Sequence, residues 1–206
     1  MTPWKDVYIC SYPKSGNTLC RYLIELVTGL PTQGAPGSGE EDRPLLYPPG
    51  PKWAGRKRHR ILESDPPRPI ILLLRDPREV AAKPVYTPPT YTPWAAPIDP
   101  MWVTVLNDAA ARWPRHVILY EHITKQPLII MEDLVELFGC GRSALDVYTR
   151  MGTEHLLAGA RARLVDKPRP DAKPIGETHL DELRHYLRRN LSEAARDELI
   201  NHYGRI

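Results

Sequence analysis

Apolar positions along this chain fall into two kinds of pattern, short unbroken runs and helical stripes, and the two alternate. Val7, Ile9 and their neighbours read as a short strand that runs straight into Ser11-Tyr12-Pro13-Lys14-Ser15-Gly16-Asn17-Thr18. Leu19, Tyr22, Leu23, Leu26, Val27 and Leu30 then recur at the i, i+3, i+4, i+7 spacing of one buried helix face. Arg21 and Glu25 are expected to pair on the other face, and Gly29 with Pro31 stops the helix. Ile70-Ile71-Leu72-Leu73-Leu74 has no polar alternation, which marks a strand covered on both faces. After Arg75, Asp76-Pro77-Arg78-Glu79 combines an acidic cap, a proline at the first helical position and a glutamate at the third. The helix it opens is short, because Pro84 ends it.

Downstream, the pattern predicts a helix over Met101–Trp113, a strand over His116–Tyr120, and a helix opened by Pro127 whose Met131, Leu134, Val135 and Phe138 form one face before Gly139. Residues 142–163, 178–190 and 192–203 read as helical, the last with Ser192 as cap. Two Gly/Pro-rich stretches interrupt the periodicity, at about 31–55, expected to be a mobile surface loop or lid, and at about 84–100, where Tyr86, Tyr91 and Trp94 are interleaved with prolines. No internal repeat is present. Strand, glycine-containing turn and helix is the βα unit of a parallel sheet, so the expected fold is α/β, with three layers around a central parallel sheet. At 206 residues the chain suits a single domain of that kind.

Composition changes this picture little. Hydrophobic residues at 42% and charged residues at 26% are those of a globular chain. The 23 prolines are the outlier and belong mainly in loops and at helix starts. A net charge of +3 is too small to imply nucleic acid, although Arg56-Lys57-Arg58-His59-Arg60 concentrates charge as a solvated face or as a site for an anionic ligand. Cys10, Cys20 and Cys140 have no metal spacing and leave one over, which suits a reducing compartment. No apolar segment follows Met1 and the run Ile70–Leu74 is too short to span a bilayer, so a cytoplasmic protein with no membrane partner is expected.

The candidate chemistry lies in the first turn. A turn between strand and helix offers unpaired backbone N–H groups and the positive end of the helix dipole, and glycine lets a phosphate approach the backbone. The lysine precedes the glycine and no second glycine stands at the required distance upstream, so the loop is not a Walker A loop. It resembles the loop Tyr-Pro-Lys-Ser-Gly-Thr-Thr with which sulfotransferases bind 3′-phosphoadenosine-5′-phosphosulfate (PAPS). Three more stretches resemble that family in the same order. Arg75-Asp76-Pro77-Arg78-Glu79-Val80 is similar to Arg-Asp-Pro-Arg-Asp-Val, Leu119-Tyr120-Glu121 to Tyr-Glu-Asp, and Lys57-Arg58-His59 to Lys-Thr-His or Lys-Ser-His.

The resemblance covers about residues 7–138 and implies a P-loop-like sulfotransferase fold, PAPS as co-substrate, 3′-phosphoadenosine-5′-phosphate as product, and no metal. It implies that Lys14, Ser15, Gly16, Asn17 and Thr18 surround the 5′-phosphosulfate, with Lys14 on the oxygen where leaving-group charge develops. Arg75 would grip the 3′-phosphate and Tyr120 would contact the adenine. The plainer readings are a surface lysine, a salt bridge from Arg75 to Glu79, and a core aromatic. Departures are also visible. Leu19 stands where the family has an adenine-stacking tryptophan, and Lys83 stands eight residues after Arg75 where the family has a serine for the 3′-phosphate. The family's C-terminal Arg-Lys-Gly segment is not recognisable; Arg161, Arg163, Lys167, Arg169 and Lys173 are the candidates to supply its charge.

Sulfuryl transfer needs the acceptor oxygen deprotonated as it attacks, a task suited to a histidine. His59 is the candidate base through Lys57-Arg58-His59, against membership of a basic surface run, with His116 and His122 in reserve. Tyr86, Tyr91, Trp94 and Trp102 could line a pocket for a small-molecule or glycan acceptor, or only pack a loop onto the domain. Two rivals have different requirements: a kinase needs Mg·ATP, and a non-catalytic nucleotide-binding module of the same fold never turns over.

Overall fold

The computed structural model describes residues 2–12, 16–35, 45–82, 96–112, 114–162 and 176–204. Among them the strands are β1 (Val7–Ser11), β2 (Thr32–Gln33), β3 (Gly55–Arg58), β4 (Ile70–Leu74) and β5 (Arg115–Leu119). They form one all-parallel sheet in the order β2-β3-β1-β4-β5. The helices are α1 (Asn17–Thr28), α2 (Pro77–Ala82), α3 (Pro100–Ala110), α4 (Tyr120–Lys125), α5 (Pro127–Phe138), α6 (Ser143–Met151), α7 (Thr153–Arg161), α8 (Glu177–Asn190) and α9 (Glu193–Tyr203).

β1 and β4 are buried along their whole length, as unbroken apolar strands must be when both faces are covered. Alternate residues feed two cores. Val7, Ile9, Ile71 and Leu73 meet α1, α5, α6 and α7 on one face. Tyr8, Cys10, Ile70, Leu72 and Leu74 meet α2, α3, α8 and α9 on the other. The result is a three-layer α/β architecture. Among the described residues no helix is long and apolar enough to cross a membrane.

Four expectations change. The described part of 31–55 is not all surface loop, for it holds β2 and the start of β3, and Pro31, Thr32, Ala35 and Ala54 are buried. Arg21 and Glu25 do not form an outer pair, because both are buried. Thr32 draws them inward: Arg21 donates to its Oγ1 and its carbonyl, both at 2.9 Å. Glu25 accepts from the Thr32 N–H (2.9 Å) and Oγ1 (2.6 Å), and from the N–H groups of Leu46 (2.8 Å) and Tyr47 (3.3 Å). Donors in that number let a carboxylate sit inside the protein. The helix expected over 142–163 breaks at Gly152 into α6 and α7. Tyr120 opens α4 instead of closing β5.

Candidate active site

The helix after β1 packs on one face of the sheet and those after β4 on the other. The chain therefore parts at the C-terminal ends of β1 and β4, the switch point where open parallel sheets bind ligands. The sequence places its phosphate-loop signature and Arg75 there.

On the β3 side, Ser11 at the end of β1 is the junction. Its carbonyl lies 2.7 Å from Nδ1 of His59, the residue just after β3. A carbonyl only accepts, so Nδ1 carries the hydrogen and the neutral ring has its lone pair on Nε2, as a general base requires. The Ser11 hydroxyl accepts from Asn17 Nδ2 at 2.9 Å. Asn17 is only 7% exposed, and its Oδ1 is buried with no hydrogen-bond partner. Such an atom is costly until a donor reaches it.

Gly16 caps α1 with φ 81°, a left-handed conformation that other residues adopt at a cost. A Cβ there would come within 3.3 Å of Tyr120 Cδ2 and Ile123 Cγ2. Glycine thus lets the end of the loop press against the Tyr120 ring. Across the same ring, the Arg75 guanidinium stacks 4.2 Å from the centroid, a cation–π contact. Arg75 is 7% exposed, and its Nε and Nη2 both reach Oε2 of Glu79, at 3.2 and 3.0 Å. Asp76 is occupied by Arg78, bonding its backbone N–H, Nε and Nη2. Behind them, the Tyr203 hydroxyl at the end of α9 donates to Glu121 Oε2 at 3.2 Å. Burial, then Glu121 and Asp76, push that phenol far above its usual range, so it remains a donor.

Gly16, Tyr120 and Arg75 therefore meet, and Asn17 and His59 share Ser11. Thr18 follows on α1, half-buried. Lys14, Ser15 and Lys83 lie outside the described residues, as do Tyr86, Tyr91, Trp94, Arg163, Lys167, Arg169 and Lys173. Of the two expectations for Arg75, the plainer one is met, since its salt bridge to Glu79 is present. Tyr120 is half-buried and outside both apolar cores. Trp102 is not a pocket aromatic, because it is 2% exposed in the core under α3. Leu19 packs against the α1–α5 core. His116 stands lower on β5, with Nε2 3.7 Å from Asp133, and His122 is exposed on α4.

The basic run is partly interior. Arg56 bonds Asp6 and Gln33, Arg58 stacks over Tyr8, and Arg60 faces Asp108 at 3.9 Å with most of its side chain exposed. Sequence reasoning missed Ser11, Glu79 as part of the site, Tyr203, and Asp99. Asp99 accepts from the Tyr12 hydroxyl through Oδ2 and from the Met101 N–H through Oδ1, both at 2.9 Å. It ties the start of the loop after β1 to the start of α3. The acidic cap before Pro100 was its one visible signal.

Comparison with protein-family models and with curated proteins gives no match to this chain, so its chemistry is read from these residues.

Proposed function

We propose that the protein is a PAPS-dependent sulfotransferase of the P-loop-like sulfotransferase fold, acting on a hydroxyl of a small-molecule or glycan acceptor. The observation that carries this reading is the meeting of Gly16, Tyr120 and Arg75, which belong to three separate stretches of the sequence resemblance, at the sheet's switch point. Arg75 would take the 3′-phosphate, Tyr120 the adenine, and the loop from Lys14 to Thr18 the 5′-phosphosulfate. His59 Nε2 would remove the acceptor proton as the acceptor oxygen bonds to sulfur. The bridging S–O bond would break at the same time, with its electrons moving to the 5′-phosphate beside Lys14. Interactions that strengthen with that departing charge are those that raise the rate.

Thermal shift tests the reading. PAPS and 3′-phosphoadenosine-5′-phosphate should each raise the melting temperature without a divalent cation. A ligand at a hundredfold excess over its Kd adds about 2.7 kcal/mol to apparent stability. His59→Ala should keep both shifts and lose roughly 10² to 10⁴ in turnover. Stabilisation by Mg·ATP alone would contradict the reading.

A further inference from the structure

We infer that Glu79 is an internal counter-anion that occupies the Arg75 guanidinium and sets how tightly the site takes a 3′-phosphorylated nucleotide. The inference rests on the reading of Arg75 as the 3′-phosphate ligand and adds a residue that the reading does not use. Arg75 is buried, so its charge needs a partner inside the protein. Nε and Nη2 converge on one oxygen, Glu79 Oε2, at 3.2 and 3.0 Å. The two side chains are far from equal in freedom, with 8% of the Arg75 side chain exposed against 45% of Glu79. Stacked 4.2 Å from the Tyr120 centroid, Arg75 is the fixed member of the pair, whereas Glu79 has a path to water.

An arriving dianion would compete for the Nε–Nη2 edge of the guanidinium, which Glu79 already bonds. Asp76 and Glu121 act together with Glu79 on the Tyr203 phenol, so the three carboxylates share one neighbourhood. Of these three acids Glu79 leaves at the smallest cost, because Asp76 is held by Arg78 and Glu121 by Tyr203. Glu79 therefore keeps Arg75 aimed when the site holds no anion and is displaced when one binds. It lowers affinity for the anion in doing so, since a ligand that must displace an internal competitor binds more weakly than one that finds its site open. Glu79 is a positioning residue in this scheme, because it acts on the ligand through Arg75.

The test is calorimetric titration of the full chain with 3′-phosphoadenosine-5′-phosphate and with 5′-AMP, for the parent, Glu79→Gln and Glu79→Asp. Glu79→Gln is expected to tighten the 3′-phosphorylated nucleotide by roughly threefold to tenfold, the range for a partly exposed ion pair, and to leave 5′-AMP unchanged. Glu79→Asp keeps the charge and should stay near the parent. A general loosening of the fold would not move one nucleotide without the other. Equal tightening of both nucleotides, or weaker binding of the 3′-phosphorylated one, overturns the inference. If the parent binds that nucleotide and Glu79→Gln leaves its affinity unchanged, the inference alone falls. If the parent does not bind it at all, the sulfotransferase reading falls and the inference with it.

Discussion

Two arginine–tyrosine–carboxylate assemblies stand at opposite ends of the sheet, and they differ in what their carboxylate can do. At the N-terminal end, Arg68 lies over Tyr8 at 5.5 Å, and Arg58, from the last position of β3, lies over the same ring at 5.4 Å. Asp6, with φ +50°, accepts from Arg56 Nε and Nη2 and pairs with Arg68 as well. Tyr8 is 2% exposed. One acid thus serves two cations, Arg56 and Arg68, so a displacement that frees it from one leaves it held by the other. At the C-terminal end, one arginine lies over a half-buried tyrosine, and its carboxylate reaches solvent. The same residue types make a fixed staple in one place and, on our proposal, an exchangeable site in the other. The difference is the exposure of the acid and the number of cations that depend on it.

Asp6→Ala breaks the comparison most forcefully. It leaves Arg56 and Arg68 short of their shared acceptor, and the expected loss is about 2 to 3 kcal/mol, below the range for a fully buried ion pair because Asp6 is partly exposed. Chemical denaturation reads that loss, and the nucleotide preference of the folded fraction should not change. A loss below about 0.5 kcal/mol would show that the staple is ornamental.

The histidines give a smaller version of the same contrast. His59 is held at the rim by the Ser11 carbonyl. His116, in register with Ile71, has its pKa lowered from 6.5, chiefly by burial and in part offset by Asp133. A lowered folded value means that the unfolded chain takes the extra proton first. His116 therefore costs stability as pH falls below 6.5 and costs none above it. His116→Gln should flatten the acid side of a stability–pH profile and leave the neutral side unmoved; an unchanged acid limb would contradict the assignment.

Much of this layout was legible in the chain. β1 and β4 show as unbroken apolar runs, and α1, α5, α8 and α9 as periodic faces with recognisable ends. β3 was not, because Gly-Arg-Lys-Arg carries no apolar signal. It is a strand through its neighbour: a Cβ at Gly55 would lie 3.0 Å from Val7 and Ile9 side chains, so glycine lets β3 close against β1 without displacing them. The α6–α7 break was hidden because the apolar spacing continues across Gly152, while the backbone there is non-helical, with φ 86° and ψ 160°. Arg21 and Glu25 had the spacing of a surface pair, and the donors that bury Glu25 come from Thr32, Leu46 and Tyr47, which no local pattern links to it.

The site divides in the same way. Gly16, Arg75, Tyr120 and His59 could be picked out because each sits in a short stretch of characteristic order. Ser11 could not, since it acts on His59 through a backbone carbonyl that every residue possesses. Asp99 meets Tyr12 across 87 positions of sequence. Such partners are set by the fold of the whole sheet.

The most direct test of the central claim is the ratio of Kd values for 5′-AMP and 3′-phosphoadenosine-5′-phosphate, measured in the parent and in Arg75→Ala with no divalent cation present. The parent should prefer the 3′-phosphorylated nucleotide by about tenfold or more, the lower end for hydrogen bonds to a charged group. Arg75→Ala should bring the two affinities to within roughly threefold by weakening the 3′-phosphorylated nucleotide alone. No preference in the parent, or a preference that survives in Arg75→Ala, would contradict the claim that the rim between β1 and β4 is a 3′-phosphonucleotide site.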